Sequence, residues 1–159
     1  MNIDAVDRQI IQATQAGLPL VAQPYQAVAE ELGLPVEDVM QRLARMQRDG
    51  IIRRIAAVPN HYKLGYRYNG MTVWDVADSY VDSLGPQVAE LPFVSHCYQR
   101  PRHLPDWPYN LFAMVHGKTE QDAERQVAAI AELLGERARS HEVLYSTKIL
   151  KKTGLRIGG

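Results

Sequence analysis

A stretch near the middle of the chain, HCYQRPRHLPDWPYNLF at residues 96–112, concentrates side chains that can do chemistry. Alternate residues of a β-strand share one face of the sheet. A strand here places Val94, His96, Tyr98 and Arg100 in one row on an open face, and Ser95 on the opposite face, which can pack under helices. Burying an imidazole, a phenol and a guanidinium without partners is costly. We therefore expect this row to face a ligand, a partner subunit or solvent, with His96 able to deliver a proton near neutral pH.

The loop that follows is restrained by prolines, which preorganise the cationic side chains between them. Its candidate ligand-binding side chains are Arg102, His103, Trp107, Tyr109 and Asn110. Aromatic faces and arginine forks suit a large flat ligand that is rimmed with carboxylates. Clusters of Trp, Tyr and Arg are also typical of protein–protein hot spots, so the sequence leaves both interpretations open.

More basic groups flank this region on both sides. The candidates for additional carboxylate contacts are Arg53, Arg54, His61, Lys148, Lys151 and Lys152. No acidic residue follows Glu142, so the C-terminal lysines have no acidic neighbour in that segment, which suggests contacts with carboxylates of a ligand. A basic tail is nevertheless more often a solvated surface. His116 and His141 lie at the ends of predicted strands, where a structural role is common, and we leave both out of the predicted site.

The composition sets limits on the class of protein. The chain has 159 residues, of which 46% are hydrophobic and 23% charged, and its formal net charge is zero. The one cysteine, Cys97, excludes disulfides within the chain and cysteine-based zinc or iron–sulfur sites. We expect a cytoplasmic protein with no signal peptide, no membrane span and no protein-bound metal site.

The first third of the chain predicts a helix-turn-helix. Apolar residues at helical spacing indicate helices over 3–16, 25–32 and 35–49, with Gly33 between the last two. The apolar stripe of the third helix is expected to be Val36, Val39, Met40, Leu43 and Met46. The segment GII at 50–52 suggests a small wing, and we place this winged helix-turn-helix domain at residues 1–54.

The remainder, residues 55–159, predicts a ferredoxin-like βαββαβ domain with a basic tail. Alternation and β-formers indicate strands over 66–76, 93–100, 109–117 and 141–150. Helical spacing indicates helices over 119–135 and from about Ser83, since Pro86 limits the earlier start. The fold class is therefore α+β, with helices on one face of a four-stranded sheet and the other face left for a partner or a ligand.

The charge of the helix-turn-helix disfavours DNA binding. Its expected recognition helix begins with Glu37 and Asp38, where DNA-reading modules usually carry basic and polar side chains. Residues 1–50 contain seven acidic side chains and four arginines, a net charge of −3. Because phosphate neutralisation dominates duplex affinity, we predict no specific DNA binding and a structural or dimer-forming role for this module.

Several motifs together carry a family resemblance. IDAVDRQIIQATQAGLPL and MQRDGIIRRI are similar to the opening helix and the recognition-helix exit of the Lrp/AsnC family. RRIAAVPNHYKLGY, HCYQRP, DWPYNLFAMVHG and STKILKKTG together resemble the siroheme decarboxylases, which are built on the Lrp/AsnC plan. The resemblance spans both units. It implies removal of CO2 from the C12 and C18 acetates of siroheme, giving 12,18-didecarboxysiroheme, in haem d1 or alternative haem formation.

The resemblance also suggests roles for individual residues. His96 is the expected proton donor, Arg100 and Arg102 are expected to orient the acetates, and His103 is the second candidate acid. We expect no cofactor beyond siroheme and its iron, which either His96 or His61 could ligate. A homologous subunit, in a heterodimer or a homodimer, is the expected partner.

Two alternatives stay open from the sequence. The first is an Lrp/AsnC-like transcription regulator that senses a small molecule or a tetrapyrrole. The second is a binding module that only completes the active site of a partner. The sequence does not distinguish which subunit type this is or which acetate reacts first.

Overall fold

Helix α1 (Ala5–Thr14) begins at a capping box, in which the Asp4 carboxylate accepts from the Asp7 N–H and the Asp7 carboxylate accepts from the Asp4 N–H. These features are seen in a computed structural model, which describes residues 3–148, 150 and 155–158. Helix α2 (Pro24–Leu32) starts with proline and ends at Gly33, whose φ is 65°. Helix α3 (Val36–Arg48) completes the predicted helix-turn-helix.

The three helices bury one apolar cluster. Its fully buried members include Ile10 of α1, Val28 of α2, and Val39 and Met46 of α3. The predicted stripe of α3 is confirmed except at Met40, which is 50% exposed. Met40 lies 100° around the helix axis from the buried Val39, which places it towards solvent. The buried stripe of α3 therefore covers a narrower arc of the helix than the one predicted.

The expected wing at residues 50–52 is wrong. Gly50 has a φ of 74°, and the N–H groups of Ile51 and Ile52 both donate to the Met46 carbonyl, at 2.9 and 3.0 Å. These bonds close the end of α3, and both isoleucine side chains pack against the helical cluster. The segment therefore serves as a helix cap rather than as a strand.

The chain divides into two compact units, one of residues 1–58 with the C-terminal residues and one of residues 59–150. The boundary lies four residues later than the one predicted. Of the described C-terminal residues, Ile157 contacts the first unit: its N–H donates to the Gln15 side chain at 3.0 Å, and its carbonyl accepts from that side chain at 3.3 Å.

The second unit is a four-stranded antiparallel sheet with the order β2-β3-β1-β4. Its strands are β1 (Tyr68–Val76), β2 (Cys97–Gln99), β3 (Leu111–Gly117) and β4 (Ala138–Tyr145). Helix α4 (Asp78–Ala89) connects β1 to β2, and helix α5 (Glu120–Leu134), followed by a 3₁₀ turn (Gly135–Arg137), connects β3 to β4. This is the predicted βαββαβ arrangement.

Both helices pack on one side of the sheet, as predicted. Trp74, Leu111 and Val115 from the strands meet Val88 of α4 and Ile130 of α5 in a dry core. The other side of the sheet, here called the open face, carries Met71 and Val73 of β1 and Phe112 and Met114 of β3. Cross-strand pairing puts Met71 opposite Met114 and Val73 opposite Phe112, so the four side chains project together.

Three elements differ clearly from the predicted bounds, and one of them is β4, which spans Ala138–Tyr145 rather than 141–150. Helix α4 starts at Asp78 rather than near Ser83 and contains Pro86. The residue before that proline is Gly85, which has no Cβ to clash with the ring, so the helix continues through it. Strand β2 is shorter than predicted because its first residues leave the regular ladder, as described below. Within the described residues, no helix is long and apolar enough to cross a membrane.

Candidate active site

The open face has an aromatic floor. Val73, Tyr109 and Phe112 are buried together, with Met71 and Trp107 packed against them. The Trp107 ring stacks on Phe112, with centroids 6.3 Å apart, and meets Tyr109 edge-on at 5.1 Å. The loop of residues 100–110 thus folds back over part of the face and covers it with flat apolar surface.

The predicted row of β2 lies beside this floor. His96, Tyr98 and Arg100 line a hollow of about 250 Å³ together with Met71, Phe112 and Met114. The Arg100 guanidinium lies over the rings of Phe112 and Tyr98, at 5.0 and 5.5 Å from their centroids. Among the described residues Arg100 has no carboxylate partner, so its guanidinium is available for an anionic ligand.

The strand is irregular where it reaches this hollow. The Ser95 N–H donates to the Met114 carbonyl at 3.2 Å, and the Met114 N–H donates to the His96 carbonyl at 2.8 Å. Two successive residues therefore oppose one, which is the arrangement of a β-bulge. The prediction that Ser95 packs under the helices is wrong, since Ser95 is exposed. Val94, predicted for the open face, packs against the helical core instead.

The bulge brings the Ser95 hydroxyl between two histidines. Its Oγ lies 3.0 Å from Nδ1 of His96 and 2.5 Å from Nε2 of His116. His116 Nδ1 lies 2.6 Å from Oδ1 of Asn69 on the neighbouring strand. The His61 ring, on a turn before β1, lies 5.8 Å from the His116 ring. Three histidines that are far apart in sequence thus lie near one another, and of these His96 lines the hollow.

Arg102 does not point into the hollow. Its guanidinium donates to the carboxylates of Asp75 and Asp78 and to the carbonyls of Val76 and Pro108. These contacts occupy all five of its N–H groups, and its side chain is 15% exposed. Burial alone lowers the pKa of Arg102, but these carboxylates outweigh burial and raise it. The expectation that Arg102 orients substrate acetates is therefore not supported by its geometry.

Asn110 and Tyr109 are structural in their contacts as well. Asn110 is buried, accepts from the Val76 N–H at 2.9 Å and donates to the Val76 carbonyl at 2.8 Å. The Tyr109 phenol bonds the Glu142 carboxylate, which raises the pKa of Tyr109 above its usual value. Asn110 thus fixes the β1–α4 turn, and Tyr109 contributes its ring to the floor.

The other predicted residues that the structure describes do not line the hollow. His103 exchanges two backbone hydrogen bonds with Trp107, each 2.8 Å long, and its side chain is exposed. Arg53 and Arg54 are exposed in the first unit, and Lys148 is exposed after β4. Lys151 and Lys152 lie outside the described residues. The described residues contain no group of three or more His, Cys, Asp or Glu side chains able to hold a metal ion.

Ser95, Asn69 and His116 are not among the residues predicted for the site from the sequence. His116 follows Phe112 and Met114 at alternate positions of β3, so strand parity places it on the open face. That signal was available in the sequence. The pairing of His116 with Asn69, in contrast, depends on the β1–β3 register, which no local pattern fixes.

Comparison with known proteins identifies both units. Residues 63–151 match the family model of the AsnC-like ligand binding domain, and residues 7–53 match that of the siroheme decarboxylase NirDL-like HTH domain. The chain is 59% identical to the siroheme decarboxylase NirH subunit of Pseudomonas aeruginosa, over 94% of this chain and 88% of that protein. It is 55% identical to the NirH subunit of Stutzerimonas stutzeri, over 98% and 92%.

Solved structures agree with these matches. The siroheme decarboxylase NirDL is 30% identical with a TM-score of 0.66, over 98% of this chain but 47% of that one, and it has also been solved with an iron-uroporphyrin III analogue. AsnC of E. coli, at 20% identity and a TM-score of 0.77, shares the fold. The chain therefore belongs to the siroheme decarboxylase family.

Proposed function

We propose that this chain is a subunit of a siroheme decarboxylase, a carboxy-lyase that removes CO2 from the C12 and C18 acetates of siroheme to give 12,18-didecarboxysiroheme. The observation that carries the proposal is its identity of more than half with siroheme decarboxylase subunits along nearly the whole chain. The aromatic floor beside Arg100 and His96 supplies the chemistry that such a substrate needs. The substrate brings its own iron, and the proposal requires no further cofactor.

Siroheme is a flat macrocycle with carboxylates around its rim. The rings of Trp107, Tyr98 and Phe112 offer apolar surface for the macrocycle, and Arg100 offers a planar fork for one rim carboxylate. A charge-assisted hydrogen bond of this kind contributes about 1.5–3 kcal/mol. Arg102 supports the site indirectly, because it ties the loop that carries Trp107 to Asp75 and Asp78.

Loss of CO2 leaves an electron pair on the methylene carbon of the acetate, which the conjugated macrocycle can delocalise. A proton must then reach that carbon. His96 lies on the wall of the hollow and can give the proton from Nε2, since its Nδ1 faces Ser95. His103, exposed and outside the hollow, becomes the weaker candidate acid.

The hollow is too small to hold the substrate alone. Its volume of about 250 Å³ lies below the range of roughly 300–1,000 Å³ that is usual for small-molecule sites. The rest of the enclosure is expected from a second, homologous subunit laid over the open face. The NirDL chain, of which this chain spans just under half, has room for two such units.

The test is anaerobic incubation of siroheme with the purified chain, alone and together with its co-expressed homologous subunit. Product mass should fall by one or two CO2 units. If neither preparation changes siroheme, the proposal fails.

The regulator alternative makes a different prediction, namely sequence-dependent DNA binding. Arg42 and Arg45 of α3 are held by the carboxylates of Asp4, Asp7 and Asp38, which lowers the positive charge that α3 can offer to phosphates. We expect no specific gel shift at physiological salt. A tight, sequence-dependent shift would favour the regulator.

A further inference from the structure

The Ser95 hydroxyl is placed to connect two imidazoles. It lies within hydrogen-bond distance of His96 Nδ1, at 3.0 Å, and of His116 Nε2, at 2.5 Å. A hydroxyl carries one proton to donate and lone pairs to accept. In this geometry it can donate to one ring while it accepts from the other.

Asn69 fixes the last hydrogen bond in the series His96–Ser95–His116–Asn69. Its Nδ2 donates to the Tyr66 carbonyl at 2.9 Å, and a carbonyl can only accept, so the amide cannot be flipped. Oδ1 of Asn69 then faces His116 Nδ1 at 2.6 Å, and that nitrogen must carry a proton. Asn69 is 5% exposed, so this orientation is protected from water.

The position of His116 is held from its backbone as well. Gln126 of α5 accepts from the His116 N–H at 3.0 Å and donates to the His116 carbonyl at 2.9 Å. The ring of His116 therefore has a fixed origin and a fixed Nδ1 partner. Its Nε2 is the one ring atom that faces Ser95.

Two protonation arrangements follow from these constraints. When His116 is neutral, the Ser95 hydroxyl donates to His116 Nε2 and accepts from His96 Nδ1–H, which leaves Nε2 of His96 without a proton. When His116 is cationic, its Nε2–H donates to Ser95, and Ser95 donates to His96 Nδ1. In the second arrangement, neutral His96 carries its proton on Nε2.

We propose that Ser95 and His116 form a proton relay that loads His96, with the proton stored as the positive charge of His116. This inference rests on the proposed decarboxylation. Ser95 and His116 are positioning and relay residues, since each acts through His96.

The transfer balances in atoms and charge. The electron pair left on the acetate carbon takes the Nε2 proton of His96, as His96 Nδ1 takes the Ser95 proton and Ser95 takes the Nε2 proton of His116. One C–H bond forms, and one positive charge is lost from His116. Solvent then protonates His96 Nε2, and the two transfers through Ser95 run in reverse, from His96 Nδ1 to Ser95 and from Ser95 to His116 Nε2, which restores the charge on His116.

The kinetic test uses Ser95→Ala and Ser95→Thr in the chain with its homologous subunit. Ser95→Ala should slow single-turnover decarboxylation by about 10- to 100-fold, less than loss of the general acid, while siroheme binding is unchanged. Ser95→Thr keeps a hydroxyl and should recover most of the rate. The control is Ser83→Ala, which removes an exposed hydroxyl from α4, on the opposite side of the sheet from the open face.

A second readout does not depend on activity. Long-range ¹H–¹⁵N NMR under alkaline conditions reports which nitrogen of His96 carries the proton. We expect the Nδ1–H tautomer in the wild type and in Ser83→Ala, and a shift towards Nε2–H in Ser95→Ala. A wild-type Nε2–H tautomer, or a normal rate in Ser95→Ala, overturns the relay. If no preparation decarboxylates siroheme, the proposed function fails, and the tautomer still decides the relay.

Discussion

His96 is the residue on which the proposed chemistry depends most. It lies on the wall of the hollow, and its Nδ1 is engaged by Ser95, so that Nε2 is the nitrogen left to face a ligand. Proton donation and iron ligation both use such a nitrogen. The two roles differ in what the loss of the imidazole changes.

His96→Ala should lower decarboxylation by about 10²–10⁴-fold, the usual contribution of a general acid, and should weaken siroheme binding much less. The measurement is single-turnover product formation alongside the absorption spectrum of bound siroheme. A shifted spectrum would identify His96 as an iron ligand instead. Normal turnover and a normal spectrum in His96→Ala would show that His96 is not part of the site. The control is His141→Ala, which lies on the helix-facing side of the sheet and should keep normal turnover.

Arg100 and Arg102 are two residues apart and are predicted to differ in function. Arg100→Ala should weaken siroheme binding by about 1.5–3 kcal/mol, because a carboxylate loses its partner, and Arg100→Lys should restore binding only partly. Titration of siroheme absorption measures the effect. Unchanged affinity in Arg100→Ala would exclude Arg100 as a carboxylate partner.

Arg102→Ala should instead destabilise the fold. It leaves the carboxylate of Asp75, a buried residue, without its cation, a change that typically costs about 3–5 kcal/mol. Urea unfolding of Arg102→Ala and Arg100→Ala, side by side, measures the contrast. Equal stability of the two variants would contradict the structural role of Arg102.

At the scale of elements, α1 and α3 are joined by one ionic network. The Asp7 side chain is fully buried and accepts from Arg42 at 2.9 Å and from Arg45 at 2.5 Å. Burial by itself raises the pKa of Asp7, but the Asp4 N–H and the two arginines outweigh burial, so that the pKa lies below its usual value. The helix-turn-helix is therefore held partly by a charged aspartate.

A carboxylate whose pKa is lowered on folding stabilises the protein above its unfolded pKa, and this stabilisation is lost as the pH falls through the folded value. Asp7→Asn should reduce the free energy of unfolding at neutral pH by about 3 kcal/mol. The loss should shrink in acid, where wild-type Asp7 is itself protonated. Urea unfolding at both pH values measures this, with the exposed Glu31→Gln as control. A pH-independent difference would contradict the assignment.

At the scale of the whole molecule, the open face remains only partly covered. The loop of residues 100–110 shields Val73 and Phe112, but Tyr98 is 50% exposed and Leu144, opposite Met71, is 44% exposed. Exposed apolar surface on a sheet is an aggregation hazard unless a partner covers it. The hollow lies on the same face, and it also needs a second surface to enclose a ligand of the size of siroheme.

We therefore expect an obligate dimer, with a homologous chain or a second copy seated on the open face. Leu144→Asp should weaken the association, because it places a charge within the buried surface. Sedimentation velocity over a range of concentrations measures it. Tyr80→Asp, which changes an equally exposed residue of α4 on the other side of the sheet, should leave the dimer intact. A wild-type monomer at all concentrations would contradict this prediction.

Local patterns in the sequence determined most of the architecture. Helical spacing in α3 and α5 and alternation in β1 and β3 specify the elements, since these periods arise from the backbone geometry itself. Strand parity also placed His96, Tyr98 and Arg100 in one row. The acidic start of α3 was evident from the sequence, as was the cationic character of the loop.

Only the tertiary structure shows which arginines of the loop pair with carboxylates of the described part of the protein and which do not. Arg100 and Arg102 look alike in sequence, but the turn after β1 brings Asp75 and Asp78 to Arg102 alone. Likewise, the β1–β3 register and the bulge at Ser95 bring Asn69, His116 and His96 together. These side-chain pairings depend on strand register and on contacts between residues far apart in the sequence, which no local periodicity encodes.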